Sequence, residues 1–282
     1  MPNPDGSPTY FEVLTAAVAD ISENGYDSEE RVAYWVEQIR SAAERSMKSM
    51  SEIEEMVRSA MFSVFRKQVD MGGVLRQNPG VSAYRLQQMK PELRAELDRR
   101  IAASVDLIRV NRPQAIDKTM QRFRGWATSV PNGGSRTVKR REEKANLRKA
   151  LSQLPYEERR VVIDQNAKLF SAINTTVATN GGAIGGYWQS HVHQRGYNGR
   201  KDHNARQNRF FLVRGSWAHK SGLVKPNKDG YTDEVEQPAE LPFCKCSYRY
   251  VFSLRSVPTE CLTGKGKESL VEARAKLKGL AL

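Results

Sequence analysis

From Thr9 to Thr179 apolar residues recur at i, i+3 and i+4, with breakers at Gly72–Gly73, Asn78–Pro79–Gly80 and Pro131 to Ser135, until Asn180–Gly181–Gly182 ends the last of these helices. A 3.6-residue period kept over so long a stretch commits the first two thirds of the chain to helices that pack through one face. Phe11, Leu14, Val18 and Ile21 mark a first helix over 9–21. Asp27 or Ser28 caps a second, with Glu29 and Glu30 in its first turn and a stripe of Val32, Trp35, Val36 and Ile39. Ser51 with Glu54 has capping-box spacing and opens a third, striped by Ile53, Met56, Val57, Met61, Val64 and Val69. Helices follow at about 81–89, 91–110 and 113–129, delimited by prolines. Another runs from Pro155, in its first turn, to about Thr179.

After Gly181 the texture changes. Glycines and aromatics accompany short β-prone runs at Tyr187–Trp188, at Phe210–Val213 and from Phe243 to Phe252, before a last helix over about 266–280. The expected fold class is α+β and predominantly helical: a helical N-terminal body followed by a small C-terminal α+β module. The expected divisions are a helical body over 1–130, a basic linker and helix over 131–154, the module over 155–258 and a helical tail over 259–282. Pro131 to Ser135 is the most linker-like stretch.

Charge narrows the function classes. The net charge is +13, yet residues 1–60 hold 5 Lys/Arg against 12 Asp/Glu, so the remainder carries +20. A body this basic faces a polyanion, and nucleic acid is the usual one. Arg136, Lys139, Arg140, Arg141, Lys144, Arg148 and Lys149 crowd one short segment with an apolar edge of Leu147, Leu151 and Leu154. They are candidate phosphate contacts on a helix, or simply its solvated face. No run of about 18 apolar residues predicts a membrane span. The start is polar and turn-rich and lacks a signal-peptide pattern, so synthesis in a cytoplasm is expected.

Three cysteines without an even pattern fit a reducing compartment, and two of them, Cys244 and Cys246, stand one residue apart. A disulfide between them demands strained geometry. Flanking aromatics suggest a strand, on which i and i+2 side chains leave the same face. All four histidines (His191, His193, His203 and His219) lie between Tyr187 and Lys220. Imidazole and thiolate both suit zinc, so His203, Cys244 and Cys246, with His193, are candidate ligands of a structural zinc ion. Cys-x-Cys departs from the commoner knuckle spacing. The alternative is a pair of small buried residues beside a hydrogen-bonded His203.

One ordered combination carries more information. Arg200, Asp202 and His203 precede the strand FFLV; a loop with Gly222, Gly230 and Pro238 follows, and then Pro242, Cys244 and Cys246 in LPFCKC. This order resembles the phage Mu F-like family of minor head proteins, also called phage head morphogenesis proteins, over about residues 155–258. Lys245 stands where the family often has Arg. The resemblance implies a non-enzymatic virion component near the portal or capsid interior, made in the host cytoplasm. Its expected partners are the portal, other capsid proteins and packaged DNA, with a part in head assembly and genome ejection; it requires no cofactor. The acidic first sixty residues would then dock on a portal or scaffold surface. Two rivals stand beside it. An HNH-like metal-dependent nuclease would use Asp202–His203 with His219 or His193. A cytoplasmic, sequence-independent DNA-binding protein is the other, weighed against the lack of a recognisable base-reading element.

Overall fold

A computed structural model describes residues 6–190 and 199–279. Its helices are α1 (Tyr10–Asn24), α2 (Glu29–Ser46), α3 (Met50–Phe65), α4 (Gly73–Gln77), α5 (Ala83–Ala127), α6 (Arg140–Asn180), α7 (Lys201–Ala205), α8 (Trp217–Lys220) and α9 (Gly264–Gly279). Three strands, β1 (Gly185–Gln189), β2 (Phe210–Leu212) and β3 (Ser247–Val251), form one antiparallel sheet in the order β2-β1-β3. The fold is the expected one, a helical body with a small α+β module near the C-terminus. The chain divides into two compact units. Unit 1 comprises Met1–Val57 and Ala102–Val162, and unit 2 comprises Arg58–Ile101 and Ile163–Leu282. Helices α3, α5 and α6 each contribute to both.

Local chemistry explains the first helices. Thr9 caps α1 in a capping box with Glu12, and Ser28 caps α2 by accepting from the Arg31 N–H. The third box is Ser49 with Glu52, two residues earlier than expected: Ser49 N–H donates to Glu52 Oε2 at 2.7 Å, and Glu52 N–H donates to Ser49 Oγ at 3.2 Å. Glu52 is the carboxylate that reaches back when the helix begins at Met50.

A core of unit 1 joins four helices. Leu14, Ala17, Val18 and Ile21 of α1 and Val32, Val36 and Ile39 of α2 pack with Ile116, Met120 and Phe123 of α5 and Leu147 of α6. Phe11, placed by its spacing on the buried stripe, is 49% exposed; Val13 is buried instead. Trp35 lies at the edge of the core, and its indole N–H donates to Asp20 at 2.6 Å. Pro131 to Ser135 is a turn bonded back to α1. Gly133 N–H donates to Asn24 O at 2.9 Å and Ser135 N–H to Ser22 O at 2.9 Å. Its glycines serve positive φ, 84° at Gly133 and 81° at Gly134.

The three prolines do not interrupt helices. The segments expected at 81–89, 91–110 and 113–129 are one 45-residue helix, α5, which contains Pro91 and Pro113. Pro155 lies inside α6, which joins the basic segment to the helix expected to start there. Each proline is exposed, so its ring lies on the solvent side of the helix rather than in a packed face. Apolar faces such as Leu93, Leu97, Ile101, Ile108 and Phe123, all buried, hold the helix through these points.

Unit 2 surrounds the sheet. Phe210, Leu212 and Val251 lie on one face with Val224, Leu254, Val257, Cys261 and Leu262. Phe211, Trp188, Tyr248 and Tyr250 lie on the other with Ala178, Ala183, Cys244 and Cys246. This is the alternation a two-sided buried sheet requires. The C-terminal half of α6 braces the second face: Asn174 Nδ2 donates to Tyr248 O at 3.2 Å, and Tyr250 OH donates to Thr175 Oγ1 at 3.1 Å. Gly185 permits the β1–β2 approach, because a Cβ there would lie 2.3 Å from Phe210 Cζ and 2.6 Å from the Phe211 carbonyl oxygen. Gly185→Ala is expected to destabilise the protein by about 1–3 kcal/mol through overpacking. A lowered thermal midpoint would show it, whereas an unchanged one would mean the pair separates at no cost.

Candidate metal centre

Three elements converge on His203. β1 supplies Trp188, whose ring meets the imidazole edge-on at 5.2 Å. α7 turns His203 inward while Lys201, Asp202 and Ala205 remain exposed. The third element is the segment before β3. The two cysteines do not lie on a strand, as their flanks suggested, but just ahead of one. Phe243 takes a left-handed φ of 60°, its N–H donates to Asp164 Oδ1 at 2.5 Å, and Cys244 N–H donates to Leu241 O at 3.1 Å. The aromatic side chain of Phe243, 44% exposed, is thereby turned outward and both sulfurs inward. Hydrogen bonds of the turn, rather than a pleat, set their direction.

The sulfurs meet one nitrogen. Cys244 Sγ lies 3.4 Å and Cys246 Sγ 3.6 Å from His203 Nδ1, and the three ligand atoms fall within 4.8 Å of one another. His203 and Cys244 are each 1% exposed and Cys246 is 4% exposed. A tetrahedral zinc ion with bonds of about 2.3 Å to sulfur and about 2.0–2.1 Å to nitrogen spaces S and N ligands by about 3.6 Å. The residues therefore fit the ion in donor type and spacing. They supply three donors, and His193, the fourth candidate, lies outside the described residues, as does His191.

Electrostatics favour the ligand state. Hydrogen bonding from the Cys246 thiol, the largest influence, outweighs burial; the backbone at Cys246 and Ala239 and the nearby His203 add to it. The Cys244 thiol is pulled down to about 5. The far nitrogen, His203 Nε2, is buried with no hydrogen-bond partner among the described residues and lies 3.7 Å from Asp202 Oδ2. Arg206 spans Asp202 at 3.4 Å and Glu236 at 2.8 Å, with its guanidinium 5.1 Å from the Trp188 ring centroid. Arg200 Nη2 donates to Pro242 O at 3.3 Å, linking the two ends of the sequence motif.

Arg200, Asp202, His203, Pro242, Cys244 and Cys246 are thus brought into one neighbourhood. Trp188, Arg206, Glu236 and Asp164 belong to it as well. Only Arg206 had a local signal, four residues after Asp202 on one helix face. His219 is engaged elsewhere: it accepts from Gly215 N–H at 3.2 Å and faces Tyr231 OH at 3.3 Å. Among the described residues it joins no group of potential metal ligands with His203, so the His219 version of the nuclease pairing is not formed, and the His193 version lies outside the described residues. Cys261 is a free, fully buried thiol pushed up to about 11 by burial.

The candidate phosphate contacts lie in unit 1, and several face neighbours in the same unit. Arg140 pairs with Glu23 at 3.2 Å and Lys139 with Glu142 at 3.4 Å, while Lys144 and Arg148 stand 5.7 and 5.8 Å from the Phe11 ring centroid. Arg136, Arg141 and Lys149 are exposed and form no ion pair with a described residue. Unit 1 as a whole is balanced at 18 Lys/Arg and 18 Asp/Glu, whereas unit 2 holds 27 against 14. No helix among the described residues is long and apolar enough to cross a membrane. No protein-family model matches the chain, and neither curated proteins nor solved structures yield a match.

Proposed function

We propose that this chain is a structural minor head protein of a tailed bacteriophage. In this reading it lies near the portal or capsid interior beside packaged DNA and acts in head assembly and genome ejection. The observation that carries the reading is the reunion of His203 with Cys244 and Cys246, all buried, beside Arg200 and Pro242. The motif resembling the Mu F-like family is scattered over more than forty positions of sequence, yet its members meet. In such a site the thiols and imidazole hold a structural zinc ion that fastens α7 to the segment before β3, with Trp188 closing the side. A ligand set enclosed this way suits stapling better than hydrolysis. His203 at 1% exposure offers no nitrogen to a phosphodiester unless the module opens.

Mass spectrometry of purified virions tests the reading: the polypeptide is expected in the particle at low copy number, and its absence would end the proposal. Incubation with supercoiled DNA and Mg²⁺ or Mn²⁺ is expected to leave the DNA intact. Divalent-dependent nicking that disappears in His203→Ala would favour the nuclease instead.

A further inference from the structure

We infer that the DNA-facing surface is not the basic start of α6 but a lysine patch on unit 2, built from two segments that run side by side, 220–225 and 261–267, and that it contacts the phosphate backbone of duplex DNA. The choice of DNA rests on the head-protein reading; the location of the patch does not.

The backbone places the segments together. Lys225 N–H donates to Cys261 O at 2.8 Å, Thr263 N–H to Leu223 O at 3.1 Å, and Thr263 Oγ1–H to Gly222 O at 2.7 Å, with Val224 opposite Leu262. Gly266 allows the closeness, since a Cβ there would lie 2.1 Å from Leu223 O. Lys220, Lys225, Lys265 and Lys267 are thereby gathered, all exposed, and none forms an ion pair with a described residue. Lys265 Nζ donates to the Ser221 carbonyl at 3.1 Å. Arg274, also exposed, continues the patch seven residues beyond Lys267 on α9.

Competition for carboxylates explains why these lysines stand unpaired. Arginines take the nearby acids: Arg214 binds Asp233 and Glu234, Arg206 binds Glu236, and Arg209 binds Asp229. Glu260, Glu268 and Glu272 are the exposed carboxylates left beside the two segments and along α9 to Arg274. Around the start of α6, Glu23 and Glu142 hold Arg140 and Lys139, and the unit that carries this segment is balanced at 18 Lys/Arg and 18 Asp/Glu, against 27 and 14 in unit 2. Lysine acts as a point charge rather than a planar fork, so such a patch grips phosphates without reading bases.

The test measures binding of a random-sequence duplex to the full chain across a salt series. For Lys220→Gln, Lys225→Gln, Lys265→Gln and Lys267→Gln combined, the slope of log K against log salt is expected to shrink by about 3–4. For Arg136→Gln, Arg141→Gln and Lys149→Gln combined it is expected to stay unchanged. A triple variant that spares Lys265, and so keeps the bond to Ser221, is expected to lose about 2–3 of the slope and guards against misfolding of the first. The opposite pattern, or a full chain with no salt-dependent duplex binding, overturns the inference. Virions lacking the polypeptide, with the slope loss still observed, would remove the head-protein reading and leave the phosphate surface in place.

Discussion

Arg112→Ala is expected to cost about 3–5 kcal/mol of folding stability, read as a lower denaturant midpoint at unchanged slope. Arg112 is 8% exposed, and its Nε donates to Glu158 Oε1 at 2.6 Å. Nη1 donates to Lys48 O at 2.6 Å and approaches Met50 Sδ at 3.5 Å. One side chain therefore ties α5 to α6 and to the turn between α2 and α3, and its removal leaves the Glu158 carboxylate, 7% exposed, without a counter-charge. Glu158→Ala strands Arg112 in the same way. Replacing both, as Arg112→Met with Glu158→Leu, is expected to recover most of the loss, because the desolvation of each ion disappears with it. A neighbouring pocket of about 560 Å³, lined in part by Met47, Met56, Leu151 and Leu154, gives the alternative its physical basis. Single variants that each cost under about 1 kcal/mol would mean that water in this pocket screens the pair as at a surface.

This pair also marks where reading the sequence stopped. Arg112 and Glu158 are 46 positions apart, and nothing local distinguishes a charge that will be buried from one that stays wet. The helical body was legible because its period is local, and the caps at Thr9 and Ser28 are short-range chemistry. Pro91, Pro113 and Pro155 misled because their cost depends on which side of the helix faces solvent, which is a tertiary fact. The convergence of His203 on the thiols was legible only as motif order. The turn that aims the thiols was hidden, since it requires a left-handed Phe243, a residue sequence rules steer away from that conformation, and a bond from Phe243 N–H to Asp164, 79 positions away. The charge asymmetry was visible at residue 60, but its true partition follows the two units, which interleave along the chain.

Cys244→Ser is expected to abolish stoichiometric zinc, measured by elemental analysis of protein purified without added metal, and to lower the thermal midpoint of unit 2. Chelation with EDTA should bring the wild type down to the variant's midpoint and leave the variant unmoved, because a stabilising ligand that binds only the folded state contributes through its own affinity. Cys244 and Cys246 belong to one of the two cores that flank the sheet, and most of the apolar packing on both faces comes from other residues, so the module should loosen rather than unfold outright. The pH dependence follows from the depressed Cys244 thiol, pulled to about 5 chiefly by the Cys246 hydrogen bond. A group whose folded pKa lies below its unfolded value stabilises the fold fully above the unfolded pKa. That contribution is lost as pH falls through the folded one. In the metal-free wild type, stability attributable to this thiol should therefore decline from about pH 8.5 downward and be gone once pH passes below about 5, while Cys244→Ser should lack this dependence. A wild type that holds no metal and ignores EDTA, with Cys244→Ser costing only the roughly 1–3 kcal/mol of a disturbed buried hydrogen bond, would reduce the cluster to thiol–imidazole packing. It would also remove the zinc from the proposed staple.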